Sequence, residues 1–331
     1  KRPKSNTTKD SITSSYPNNR AGKLYIQQTK QSGMGRCTAS LIGRGLLVSA
    51  AHCVFSYGED PSYKTGTSIY PYKAWFVPAA SSKTNTSSLA ALSATGPYGA
   101  WEIDGYVFPL CYVRGNCAEQ VSNAVGANDI VLLRLKKKTK SREGALPWNA
   151  GISYFGYGWN NYGFVKNSYF KDIKSNQITQ LGYPGAIGDS LSNLGGSMVR
   201  TDALAKDMRS EGRVANQWGS MQTPGCSGGP VIVNFGKKPK LAGVATEGSK
   251  HSHNIVVGAT SYGLGSNTTG GWSAHRVGAS IFGVNAEFTS TAYRDSTGKN
   301  WGGGNIGSLM DYACSIDHLN WKAGGYCRSA S

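Results

Sequence analysis

Hydrophobic and polar positions along this chain form short runs separated by turn-forming residues. "KLYIQQ" (23–28), "CTASLI" (37–42) and "GLLVSA" (45–50) come first. "AWFVPA" (74–79), "WEIDGYVFPL" (101–110) and "DIVLLRL" (129–135) complete a first set. A second set contains "GISYFGYGW" (151–159), "QITQLGY" (177–183), "SMVRTDAL" (197–204), "GPVIVNF" (229–235), "LAGVATE" (241–247) and "HRVGASIFGV" (275–284). Each run reads as a β-strand, and the Gly/Ser/Asn/Pro-rich stretches between them, the longest at 81–96, read as loops. Many short strands punctuated by turns predict an all-β chain of antiparallel sandwiches or barrels. A basic connector over 136–149 divides the strands into two halves, 21–135 and 150–290, with no repeat between them. Residues 1–20 read as a polar, basic arm. Residues 291–331 read as a Gly-rich extension pinned by a cysteine pair.

At 331 residues the chain has room for one large domain or two of ordinary size. Its low share of charged residues, 16%, suits strands, turns and secretion. No apolar run reaches the ~20 residues of a membrane span. The start, "KRPKSNTTKD", lacks the apolar core of a signal peptide, so a signal was either removed before this numbering begins or never present. The seven cysteines favour removal. Cys37 and Cys53 lie close in sequence, as do Cys111 and Cys117, and Cys314 and Cys327. No C-x-x-C pair is present, which argues against structural zinc. Three local disulfides in an oxidising compartment fit this pattern and imply a secreted protein, extracellular or periplasmic. Cys226 is left over, and is expected to be either buried or bridged to Cys314 or Cys327.

Lys and Arg exceed Asp and Glu by 17. The excess clusters in the first 36 residues and in "RLKKKTKSR" (134–142). A solvated basic surface accounts for this, and an anionic surface or polymer bound through the arm is the sharper reading. Nothing resembles a nucleic-acid-binding module, so no specific nucleic-acid partner is expected.

The stretch "QTPGCSGGPVIV" (222–233) sets Ser227 on a tight glycine turn ahead of a β-branched run, which is how a nucleophile is displayed. A serine hydroxyl needs a base to take its proton. Of five histidines, His52 stands out, because it follows the run "LLVSAA" directly within a cysteine-bracketed turn. His251 and His253 lie in a polar loop without further metal ligands, so no metal site is expected. Asp129 opens the apolar run "DIVLLRL", where a carboxylate faces solvent or finds a partner; pairing with His52 would supply one.

The order His52, Asp129, Ser227 is that of the chymotrypsin arrangement. "VSAAHC", "NDIVLLRL" and "GCSGGPV" resemble the three catalytic motifs of the trypsin/chymotrypsin family of serine endopeptidases. "CTASLI" and "LGYPG" (181–185) are similar to the bacterial branch that includes the glutamyl endopeptidases. The resemblance spans roughly residues 22–285. It implies two six-stranded antiparallel β-barrels of chymotrypsin type with the site in the cleft between them, and a peptide or protein substrate. It assigns Ser227 as nucleophile, His52 as general base, Asp129 as the residue orienting the imidazole, and the N–H groups of Gly225 and Ser227 as oxyanion hole. No cofactor is required.

Cys226 occupies the position where animal digestive members carry an aspartate that pairs with a new N-terminal amine, so that activation switch is absent. By offset from Ser227, the floor of the specificity pocket falls at Met221 and Gln222, and its wall at Thr246, Glu247 and Gly248. Without an acid on the floor, cleavage after Lys or Arg is not indicated. With Ala245 at the position of the glutamyl endopeptidases' histidine, neither is cleavage after Glu, which leaves an apolar or medium-sized residue. Two alternatives share the fold: a catalytically silent homologue that binds anionic polymers, and an esterase using the same triad.

Overall fold

The computed structural model describes residues 14–62, 70–81, 89–93, 96–118, 128–138, 145–166, 173–185, 197–209, 215–236, 252–264 and 276–327. Six strands build the first half: β1 (Ala21–Gln27), β2 (Gly35–Leu41), β3 (Leu46–Ser49), β4 (Lys73–Pro78), β5 (Trp101–Val107) and β6 (Val131–Leu135). They close into a barrel in the order β1-β2-β3-β6-β5-β4, with β4 returning to β1 in antiparallel register.

The second half holds β7 (Gly156–Tyr157), β8 (Val165–Lys166), β9 (Lys174–Gly182), β10 (Val199–Asp207), β11 (Ala215–Gly219), β12 (Pro230–Val233), β13 (Ile255–Leu264) and β14 (Arg276–Ile281). Six of these strands form a second closed antiparallel ring, because β9 pairs with both β12 and β10. From β12 the ring runs through β13, β14 and β11 back to β10. The short β7 and β8 are added on β13 and β9. The molecule is thus a double barrel of chymotrypsin type, and the closed rings remove the exposed edges that open sheets carry.

The burial pattern explains why several strands read as unbroken apolar runs. On β1, Leu24 and Ile26 face the core inside the first barrel, while Ala21 and Tyr25 join the core in the seam between the barrels. The same split holds on β4, with Phe76 inside and Trp75 and Val77 in the seam. On β3, Leu47 points inside and Leu46 and Val48 outward into the seam. A strand covered on both faces carries no polar alternation.

Two strands of the second ring escape the hydrophobic pattern. β11 ("ANQWG") is polar in sequence yet buried through Trp218. β13 interrupts its apolar run with Gly258, Thr260 and Ser261. The expected strand "LAGVATE" lies outside the described residues, and β12 pairs with β9 and β13.

The part of the arm described here, from Ser14, is packed against the body. Tyr98 Oη donates to the Ser14 carbonyl, Asn19 and Arg20 are buried, and the Arg20 guanidinium lies over the Tyr16 ring. At the other end, a hairpin of β15 (Tyr293–Arg294) and β16 (Asn300–Gly302) precedes the helix Gly304–Cys314. This helix buries Ile306, Leu309, Met310 and Ala313 in the seam core beside residues of both barrels. The segment that follows returns to the first barrel, where Gly45 N–H donates to the Tyr326 carbonyl. What reads in sequence as an added tail is therefore part of the shared core. No helix among the described residues is long and apolar enough to cross a membrane.

Candidate active site

His52 lies in a single 3-10 turn, Ala51–Cys53, at the end of β3. Cys53 in that turn is bridged to Cys37 on β2, which ties the turn to the barrel wall. Asp129 lies two residues before the first residue of β6. Because β3 and β6 pair antiparallel with Ser49 opposite Val131, the end of one strand and the start of the other meet at the same rim. Side chains 77 positions apart are thereby brought together.

The contact is two-fold. Asp129 Oδ1 accepts from the backbone N–H of His52 at 2.8 Å, and Oδ2 pairs with His52 Nδ1 at 2.7 Å. An ionised carboxylate only accepts, so Nδ1 carries the proton and Nε2 is left as the basic nitrogen of the neutral ring. A third donor comes from the second barrel: Ser261 Oγ on β13 reaches Asp129 Oδ2 at 2.5 Å. Asp129 is buried and the His52 ring is partly exposed. Burial pulls the imidazole pKa down, but the charge of Asp129 and its hydrogen bond outweigh burial, and the net shift is upward from 6.5.

The Ser227 turn docks against this rim. Thr38 N–H on β2 donates to the Ser227 carbonyl at 2.8 Å. Gly228, at φ +78°, packs so closely that a Cβ there would collide with Ser49 Oγ and the Thr38 carbonyl. Gly225, at φ +106°, packs against the Tyr183 carbonyl in the same way. These two positions need glycine both for conformation and for space.

The peptide planes of the turn are fixed by their carbonyls. The Pro224 carbonyl accepts from Gly185 N–H at 2.9 Å, and the Cys226 carbonyl from Gly229 N–H at 2.9 Å. In a planar trans peptide the N–H points opposite the C=O. The Gly225 and Ser227 amides are therefore turned away from both partners, and among the described residues neither amide has a hydrogen-bond partner. Two unpartnered donors on one turn are groups that an oxyanion can use.

Cys226 is buried and unbridged, with its thiol pushed up to about 12 by burial. The three other cysteine pairs are joined as the spacing suggests: Cys37–Cys53, Cys111–Cys117 and Cys314–Cys327. Cys226 thus has no bridge to Cys314 or Cys327. Among the described residues, one cluster, Cys37, His52 and Cys53, has metal-ligating atoms close together, and its cysteines are consumed by their disulfide.

Of the residues expected to shape the specificity pocket, Met221 is half exposed. Gln222 is buried, its amide donating to Thr201 Oγ1 at 3.1 Å. Thr246, Glu247 and Gly248 lie outside the described residues. Sequence reading missed Ser261 and Thr38. The only signal for Ser261 is "GATSYG", whose pattern is close to that of "GVATEG", and strand pairing alone distinguishes the two. Thr38 lies within the flagged "CTASLI", but nothing in sequence marks its hydroxyl.

No protein-family model matches the sequence, and no curated protein matches it. Among solved structures, it resembles a thermostable serine protease, AL20, from an extremophilic microorganism, at 16% identity and a TM-score of 0.53. That match covers 80% of this chain and 92% of the other. A second is the protease Anisep from Arthrobacter nicotinovorans, at 17% identity and a TM-score of 0.50, covering 80% of this chain and 91% of the other. The chain has the fold of these proteases. At such identities the likeness concerns the fold, and the chemistry rests on the side chains described above.

Proposed function

We propose that the protein is a secreted serine endopeptidase that works through an acyl-enzyme. Ser227 Oγ attacks the scissile carbonyl carbon while its proton passes to His52 Nε2. The oxyanion that forms is held by the Gly225 and Ser227 amides. The imidazolium then gives the proton to the leaving amine, and water repeats the sequence to release the acyl group. Asp129, held by Ser261 and by the His52 backbone, keeps the ring in the reactive tautomer and stabilises its cation. The observation that carries this reading is the buried carboxylate gripping His52 twice beside a serine turn with two unpartnered amides. The disulfides support an oxidising compartment.

For the specificity pocket, Met221 and Gln222 remain the proposed floor. The wall is better assigned to Ser261, Tyr262 and Gly263 on β13, the strand that pairs with β12 directly after the serine turn. Tyr262 packs over Gly278 and accepts from Gln217 Nε2 at 3.1 Å, which narrows the space and favours a medium-sized side chain.

The test is labelling with a fluorophosphonate followed by peptide mapping. Label on Ser227 in the wild type and none in His52→Ala is the expected result. Absence of label from the folded wild-type protein would overturn the reading. Cleavage of denatured protein alongside simple esters separates an endopeptidase from an esterase.

A further inference from the structure

Thr38 uses every polar group it has on one task. It is fully buried on β2, in the first barrel. Its N–H donates to the Ser227 carbonyl at 2.8 Å. Its hydroxyl donates to the Gly225 carbonyl at 2.9 Å and accepts from Tyr183 N–H at 3.0 Å. Its own carbonyl accepts from Ser49 Oγ at 2.8 Å. One side chain therefore bridges the serine turn and the "LGYPG" segment of the second barrel, and Ser49 fixes that side chain's backbone from three residues before His52.

The consequence concerns the Gly225 amide. Its plane is set by the Pro224 carbonyl on Gly185 N–H, and Gly185 follows Tyr183 by two residues. Thr38 holds the chain on either side of this contact, through the Gly225 carbonyl one peptide after Pro224 and the Tyr183 amide two residues before Gly185. A glycine at φ +106° has little intrinsic preference for one peptide orientation, so outside contacts must select it. Position 226, which carries a buried thiol, offers no charge for an ammonium to hold. We infer that Thr38 is the positioning residue that locks the Gly225 and Ser227 amides toward the cleft, so that docking of the two barrels itself completes the oxyanion hole. This rests on the proposed protease reading.

The test compares Thr38→Val, which keeps shape and backbone N–H but loses the hydroxyl, with Thr38→Ser, which keeps the hydroxyl. Two readouts are taken: steady-state kinetics on a peptide substrate, and amide hydrogen exchange over residues 222–229. An oxyanion donor turned away costs on the order of 10²-fold in kcat. The expected result is that loss for valine with KM changed less than about threefold, since the hole binds the transition state rather than the ground state. Exchange should rise across the turn alone, and serine should recover most of both readouts. Wild-type kcat and exchange in Thr38→Val would overturn the inference. So would exchange rising evenly over both barrels, which marks a merely structural role. If valine prevents folding, Thr38→Ala against Thr38→Ser makes the same comparison. If the wild type itself neither labels nor turns over substrate, the protease reading fails, while the exchange of the turn still decides whether Thr38 holds it.

Discussion

The first barrel encloses Leu24, Leu41, Leu47, Phe76, Trp101 and Leu133, an apolar filling. Beneath the serine turn the second barrel instead buries a connected polar set. Gln180 Oε1 accepts from Trp218 Nε1 at 3.1 Å and from Ser220 Oγ at 2.8 Å. Its amide donates to Thr260 Oγ1 at 3.3 Å, and Thr260 in turn donates to the Gly229 carbonyl at 3.0 Å. The first interior is thus apolar, whereas the second sets this polar group beside an apolar core of its own that includes Ile178, Val231 and Val257. The first barrel has to hold two strand ends in place so that His52 and Asp129 meet, and non-directional packing suffices for that. The second has to hold a turn whose peptide planes matter, and hydrogen bonds specify direction where apolar contact does not.

The largest expected effect comes from the first barrel's rim. Asp129→Asn should lower kcat about 10⁴-fold by favouring the wrong imidazole tautomer. The same variant should move the pH profile. In the proposed mechanism only neutral His52 acts as base, so the wild-type rate should rise with pH through a midpoint above the ordinary 6.5. Removing the negative charge that favours the imidazolium should bring that midpoint down. The linked stability has the opposite sense: the protonated pair's contribution is present below 6.5 and is lost as pH rises through the folded value.

Next comes the polar interior. Gln180→Leu leaves the buried Trp218 N–H and Ser220 hydroxyl without their acceptor, at about 1–3 kcal/mol for each group. In the first barrel, Leu47→Met conserves volume and should cost less than about 1.5 kcal/mol. Urea denaturation midpoints for the two variants measure the contrast directly; equal losses would erase it.

Ser261→Ala probes where the barrels meet. Losing a hydrogen bond to a charged group is worth about 1.5–3 kcal/mol. The expected loss of stability in urea denaturation is of that size, and kcat/KM should fall as well because Asp129 loses one of the groups that hold it.

The smallest effect is chemical. With its thiol buried and pushed up to about 12, Cys226 should resist alkylation at pH 8 in the folded protein. Unfolding without reduction should expose a single reactive thiol per chain, because the other cysteines are bridged.

Much of this molecule is legible in the chain itself. Strands buried on both faces announce themselves as apolar runs, and a serine between glycines, a histidine at a strand end and an aspartate at a strand start are local signals. The three disulfides join cysteines near one another in sequence, so their pairing is legible as well. Other features depend on which strands pair. β13 carries the Ser261 that steadies Asp129, yet its sequence cannot be told from "LAGVATE" by pattern, and only its pairing with β12 and β14 identifies it. Thr38 looks like any strand threonine until the second barrel sets Gly225 and Tyr183 against it. Apolar periodicity is a property of neighbouring residues and can be read along the chain. A hydrogen bond between residues more than a hundred positions apart exists only once both barrels have closed and met, so it belongs to the tertiary structure alone.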